Sequence, residues 1–119
     1  MNRFIGKTFS KVIKKENWDK TNNDAILFYQ GKNLVYALSH WQDCCENVYI
    51  ESIVGSLKDL QNTPILLAEE VSSEKSNTPD GSATWTFYKF GTIKGYIDIR
   101  FLGEYNGYYS EEASIIDCQ

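Results

Sequence analysis

Two strongly β-prone runs, residues 83–90 and 96–102, constrain the fold most, because only the five residues Gly91-Thr92-Ile93-Lys94-Gly95 separate them. Both runs are rich in the aromatic and β-branched side chains that favour strands. A short connection with glycine at both ends is typical of a tight reversal of the chain. The pattern therefore predicts a long antiparallel hairpin.

Further strand signals surround this hairpin. Residues 25–29 and 34–38 flank the turn Gln30-Gly31-Lys32-Asn33 and predict a second hairpin. Strands are also predicted at residues 7–14, 48–54 and 65–71, and Ser56 begins one short helical turn that Pro64 keeps from continuing. The tail 108–118 allows a short helix from Ser110 or a closing strand at Ile115. Together these signals predict an α+β domain that is mainly an antiparallel β-sheet of about seven strands, with one or two short helices.

The domain organisation follows from length and composition. The chain has 119 residues, a size typical of one domain with a single core. Residues 72–82 carry no large apolar side chain, so we expect a mobile surface loop within a single domain 1–119. The sequence has no signal-peptide pattern and no apolar stretch long enough to cross a membrane. We therefore expect a soluble, cytoplasmic protein.

The densest group of metal-ligand side chains is the segment His40-Trp41-Gln42-Asp43-Cys44-Cys45-Glu46. Imidazole and thiolate are the ligands that zinc prefers in tetrahedral sites. We therefore predict a zinc site that contains His40, Cys44 and Cys45, with a further ligand from Cys118, Glu70 or Glu104. The alternative is that the two cysteines are ordinary small buried residues and that His40 is a surface histidine.

The charges are unevenly distributed along the chain, whose formal net charge is −4. Residues 1–15 carry five basic side chains and no acid, whereas residues 104–119 carry four acids and no base. Most of such a surface repels free nucleic acid, and a basic protein that binds nucleic acid is one partner that it could attract. Alternatively, the acids only keep a small domain in solution. Lys89, Lys94 and Arg100 of the long hairpin could form a small nucleic-acid face with its aromatic residues, but the excess of acid elsewhere disfavours this.

Catalysis has little support in the sequence. The chain contains one histidine, and it shows no nucleophile elbow, phosphate-binding glycine loop or zinc-hydrolase motif. We therefore expect that the protein is not an enzyme. Two other classes stay open: a small zinc- or cysteine-dependent enzyme, and a nucleotide or small-ligand sponge with a pocket built from Trp85, Tyr88, Asn106 and Tyr108.

A family resemblance rests on several motifs taken together. They are His40-x3-Cys44-Cys45-Glu46, Ala68-Glu69-Glu70, Thr84-Trp85-Thr86-Phe87-Tyr88-Lys89, Thr92-Ile93-Lys94-Gly95 and Asn106-Gly107-Tyr108-Tyr109-Ser110. Over about residues 24–112 the chain resembles a family of small uncharacterised domains carried by bacteriophages. It is also similar to type II anti-CRISPR proteins that carry a zinc ion.

This resemblance implies a stoichiometric inhibitor of a type II RNA-guided effector nuclease of the Cas9 type, acting in the bacterial host cell. Such an effector holds its heteroduplex in a positively charged channel, so an acidic protein could hinder the loading of target DNA. The zinc would be structural. We expect the inhibitory contacts to come from the acidic residues Glu69, Glu70, Glu74, Glu111 and Glu112, with no direct contact to nucleic acid or membrane.

Overall fold

The computed structural model describes residues 1–42, 47–72, 76–78, 81–105 and 112–118, and these form nine β-strands in two antiparallel sheets. Two short 3₁₀ helices, Asn2–Phe4 and Leu57–Leu60, complete the described elements. The strands are β1 (Lys11–Trp18), β2 (Asn23–Gln30), β3 (Asn33–Ser39), β4 (Asn47–Val54), β5 (Leu67–Ser72), β6 (Ser76–Thr78), β7 (Gly81–Thr92), β8 (Gly95–Tyr105) and β9 (Ser114–Asp117).

The first sheet has the strand order β1-β2-β3-β9. Its hairpin β2–β3 confirms the one predicted around Gly31, and Gly31 has the positive φ of +63° that a tight turn requires. The tail forms a strand, since β9 pairs with β3 through partners such as Leu38 and Ile115. The closing strand predicted at Ile115 is thus confirmed, whereas Ser110, where the alternative helix would begin, lies outside the described residues.

The second sheet has the order β4-β8-β7-β5, and β6 pairs with β7 beside this path. The β7–β8 hairpin confirms the strongest prediction from sequence, and its ladder runs from Ser82 paired with Tyr105 to Thr92 paired with Gly95. The strands are longer than expected because only residues 93 and 94 remain in the turn. Residues 72–82, for which we predict a mobile surface loop, include the short strand β6 and the start of β7.

The hydrophobic core lies between the two sheets. Phe28 on β2 and Phe90 on β7 face each other, with ring centroids 5.6 Å apart. Phe4, from the first 3₁₀ helix, contacts both rings at 5.0 and 5.2 Å, and Phe9 contacts Phe28 at 5.1 Å. Side chains of both sheets therefore share one core, as expected of a single compact domain.

Two polar side chains of β2, one buried and one partly buried, join the first sheet to the edge of the second. The main-chain N–H of Val48 donates to Asn23 Oδ1 at 3.2 Å, and the N–H of Ile50 donates to Asp24 Oδ2 at 3.1 Å. Both donors lie on β4, whose other edge pairs with β8. The side chains of β2 thus satisfy backbone groups that an edge strand leaves open.

The predicted α+β class fits this architecture only loosely. Within the described parts of the chain there is no α-helix, and the helical turn expected from Ser56 is the 3₁₀ helix Leu57–Leu60. Pro64 and the extended residues after it leave no room for further turns. The fold is mainly antiparallel β-sheet, as the alternating sequence patterns indicate.

Candidate functional site

The second sheet has one face against the core and one face against solvent, which we call the outer face. Because side chains alternate along a strand, every second residue of β7 and β8 points outward. Cross-strand pairing aligns these residues in two rows. The first row is Ser52, Arg100, Phe87 and Val71, and the second is Val54, Asp98, Lys89 and Glu69.

Apolar side chains are unusually exposed on the outer face. Val54 is 63% exposed, Val71 58%, Tyr96 65% and Phe87 38%. Val54, Val71 and Phe87 line a groove of about 430 Å³. Contiguous apolar surface of this kind marks binding sites more often than scattered single residues do.

The charged residues of the outer face balance one another. Lys89 lies across from Glu69 on β5 and from Asp98 on β8, so three charges of alternating sign share one row. Arg100 Nε donates to Glu51 Oε2 at 2.6 Å. Glu69 therefore borders an apolar groove with a lysine beside it, instead of forming part of an acidic patch.

The outer face also contains ordered aromatic contacts. Trp85 and Phe87 are stacked, with ring centroids 6.4 Å apart and an interplanar angle of 21°. The guanidinium of Arg100 lies 5.0 Å from the Trp85 ring, and Lys89 Nζ lies 5.2 Å from the Tyr96 ring. These cation–π contacts hold two long side chains against the sheet. The face is thus organised before any partner binds.

Glu70 lies on the other side of the sheet from Glu69. It pairs with Tyr88, whose side chain is 1% exposed and contacts Phe101 in the core. Burial, and then the neighbouring Glu70 carboxylate, raise the pKa of the Tyr88 hydroxyl. Because Trp85 points outward and Tyr88 inward, these two side chains do not face one common pocket. Asn106 and Tyr108, the other residues considered for a small-ligand pocket, lie outside the described residues.

His40 lies at the polar junction between the sheets and is 5% exposed. Its Nδ1 is 2.8 Å from the main-chain oxygen of Glu112, and its own carbonyl accepts a bond from Asn23 Nδ2 at 2.9 Å. A carbonyl oxygen can only accept, so Nδ1 carries the proton and Nε2 carries the lone pair of the neutral ring. Histidines that bind metals are commonly oriented in this way.

The other predicted metal ligands are placed less completely. Cys44 and Cys45 lie outside the described residues, as do Glu74 and Glu111 of the predicted partner contacts. Cys118 lies far from His40 along the sheet. Ser39 pairs with Ser114, and Cys118 lies four residues further along, which is about 14 Å at the rise of a strand. Glu104 pairs with Asn47, close in sequence to Cys45. Groups of three or more metal-ligand side chains are absent from the described residues.

Comparison with known families identifies the domain type. A family model described as a domain of unknown function, DUF7448, matches residues 2–115. The chain belongs to the DUF7448 family. Curated proteins and solved structures give no match. The DUF7448 match includes the basic N-terminal segment, which the motif resemblance over residues 24–112 left out.

The residues that sequence reasoning missed in this DUF7448 domain are Val54 and Val71. Each lies in a β-prone run with apolar neighbours, so the sequence alone gives no sign of its exposure. A partial indication was the alternation of side chains along β7, where Trp85 and Phe87 share one face and Tyr88 and Phe90 share the other. In the described part of the chain, no helix is long and apolar enough to cross a membrane.

Proposed function

We propose that this DUF7448 domain is a non-catalytic protein that docks on a partner protein through the outer face of the second sheet. The observation that carries the proposal is the groove formed by exposed Val54, Val71 and Phe87. An apolar centre bordered by paired charges has the composition of a protein interface.

The architecture supports docking without rearrangement. The strands that carry the outer face are paired along most of their length, and their inner side chains, such as Phe90 and Ile99, are buried in the core. A surface held in this way loses little conformational freedom when it binds. The face therefore suits a rigid, stoichiometric partner contact.

For the partner, we propose a type II RNA-guided effector nuclease, whose loading with target DNA the domain would hinder. The motif resemblance and the net charge of −4 support this choice, because such effectors present positively charged channels. Glu70, on the other side of the second sheet, and Glu112, beside His40, are exposed carboxylates that would contact the partner beyond the outer face. With Glu69, and with Glu74 and Glu111 outside the described residues, they are the proposed acidic contacts.

The test is DNA cleavage by a guide-loaded effector with the domain added at increasing molar ratio before the DNA. We expect inhibition that saturates near equimolar domain. Phe87→Ser removes a central apolar contact and should weaken inhibition about 30-fold, which corresponds to about 2 kcal/mol for an interface hot spot.

Ile93→Ser is the matched control, because Ile93 is 79% exposed but lies in the β7–β8 turn, away from the groove. It should inhibit as well as the unchanged protein. Equal inhibition by Phe87→Ser and the unchanged protein would exclude the outer face as the docking surface. Failure of the unchanged protein against several effector orthologues would exclude the proposed partner.

We also propose that His40 binds a structural zinc ion together with Cys44 and Cys45. The support is the hydrogen bond that fixes the lone pair of His40 on Nε2. Loss of the zinc ion would lower the stability of the folded domain by the free energy of zinc binding. This is about 2.7 kcal/mol when the metal is present at 100 times its Kd. We therefore expect one zinc per chain by elemental analysis, and a chelator should lower the melting temperature.

Two substitutions test the zinc proposal. His40→Ala should abolish the bound zinc, whereas Cys118→Ser should retain it, because Cys118 lies too far along β9 to share the ion. A protein produced with added zinc that contains none, or whose melting temperature does not respond to a chelator, would contradict the proposal.

A further inference from the structure

Lys14 of β1, Lys58 of the second 3₁₀ helix and Lys94 of the β7–β8 turn are far apart in sequence but lie around one groove at the end of the molecule near that turn. We call this region the basic end.

Specific contacts bring these residues together. Lys94 Nζ donates to the carbonyl of Gln61 at 3.0 Å. The side chain of Gln61 in turn accepts the N–H of Val12 at 2.9 Å. The clustering is therefore a product of the fold and not of the N-terminal segment alone.

A groove opens at the basic end between β1 and the 3₁₀ helix Leu57–Leu60. It measures about 530 Å³ and has Lys14 and Lys58 on its walls. Its floor includes the apolar side chains Ile13, Ile53 and Leu57, which are all partly buried. The groove thus combines cationic walls with an apolar surface.

Few described carboxylates oppose this charge. Asp59 lies within the basic end and is half-buried, and its neighbour Lys58 is exposed. Glu16 Oε1 lies 3.6 Å from Lys14 Nζ, but both side chains are solvent-exposed, and such surface pairs are worth little. Glu104 and Glu112 lie at the opposite end of the sheets. The negative net charge of the chain therefore does not describe the local field at the basic end.

We propose that the basic end binds the phosphodiester backbone of single-stranded nucleic acid. Exposed lysines around a groove bind the phosphates of a flexible backbone. The release of counterions favours this binding, which does not depend on the base sequence. The apolar floor offers an unpaired base a place out of water, which a duplex with stacked bases cannot use. This inference does not depend on the protein partner proposed above, because the outer face lies on a different surface.

The test is fluorescence anisotropy with a labelled oligothymidylate of about 16 nucleotides, measured between about 50 and 200 mM salt. We expect affinity to fall steeply as salt rises. The triple variant Lys14→Ala, Lys58→Ala, Lys94→Ala should weaken binding at least about 10-fold at low salt. It should also reduce the slope of log K against log salt by about 2, at about 0.7 per lost contact.

The control compares Lys58→Ala with Lys20→Ala, which changes the net charge equally. Lys20 lies at the other end of β1, beside Trp18 and Trp41, so its loss should leave binding unchanged. Equal losses in both variants, or no oligonucleotide binding at low salt, would overturn the proposal. Binding of a polyglutamate peptide as tightly as the oligonucleotide would assign the groove to acidic proteins instead. Circular dichroism of each variant checks that the sheets remain folded.

Discussion

Replacing Phe28 with alanine is expected to lower the free energy of unfolding by about 3–5 kcal/mol. Phe28 is fully buried, and its ring contacts Phe4 at 5.0 Å, Phe9 at 5.1 Å and Phe90 at 5.6 Å. These partners come from the first 3₁₀ helix, the segment after it and β7. Removal of the ring therefore leaves a cavity where both sheets and the N-terminal segment meet, and paired strands cannot collapse to fill it.

Chemical denaturation monitored by circular dichroism and tryptophan fluorescence measures this loss. Ile93→Ala is the matched control, because Ile93 is 79% exposed and surface substitutions usually change stability by less than about 0.5 kcal/mol. A loss below about 1.5 kcal/mol for Phe28→Ala would mean that the rings do not form a shared core. The functional variants should retain the stability that this core provides.

The hairpins could be read from the sequence because their information is local. In the β7–β8 hairpin, short-range alternation and the glycines near the turn specify both strands. The pairing of β9 with β3 could not be read in this way, because Ile115 and its partner Leu38 are far apart in sequence. Several strands could have accepted Ile115, and only the shared core selects β3.

The candidate site was harder to predict than the fold. β7 carries large apolar side chains on both faces, Trp85 and Phe87 outward and Tyr88 and Phe90 inward. Alternation alone cannot say which set is buried when both are apolar. Burial was decided by the first sheet, which supplies Phe28 as a partner for Phe90. The exposed set then became the outer face.

The charges show the same division between local and tertiary information. The basic character of residues 1–15 is evident in the sequence, but the contributions of Lys58 and Lys94 to the basic end depend on tertiary contacts such as that between Lys94 Nζ and the Gln61 carbonyl. Conversely, Glu69 reads as an acidic contact in sequence, yet the fold sets it across from Lys89. The net charge of the whole chain therefore predicts neither the local charge at the basic end nor the local charge around Glu69.

Gly55→Ala is expected to destabilise the fold by about 3 kcal/mol through strain and overlap together. Gly55 directly follows β4 and has a φ of +100°, a conformation that costs an L-residue about 1–2 kcal/mol. A methyl group there would lie 2.8 Å from the Tyr96 carbonyl oxygen and 2.8 Å from Ile97 Cδ1. The carbonyl belongs to the β8 backbone and cannot move aside freely, so overlap adds about 1–3 kcal/mol.

Gly31→Ala separates these two contributions. Gly31 also has positive φ, at +63°, but a methyl group there would meet no atom within 4 Å. Its substitution should therefore show the strain alone, about 1–2 kcal/mol in denaturation experiments. Equal losses at both positions would show that β8 yields to the methyl group at Gly55. A larger loss at Gly55 means that the end of β4 is held rigidly against β8. Val54, one residue earlier, is then held at the edge of the outer-face groove by a rigid backbone.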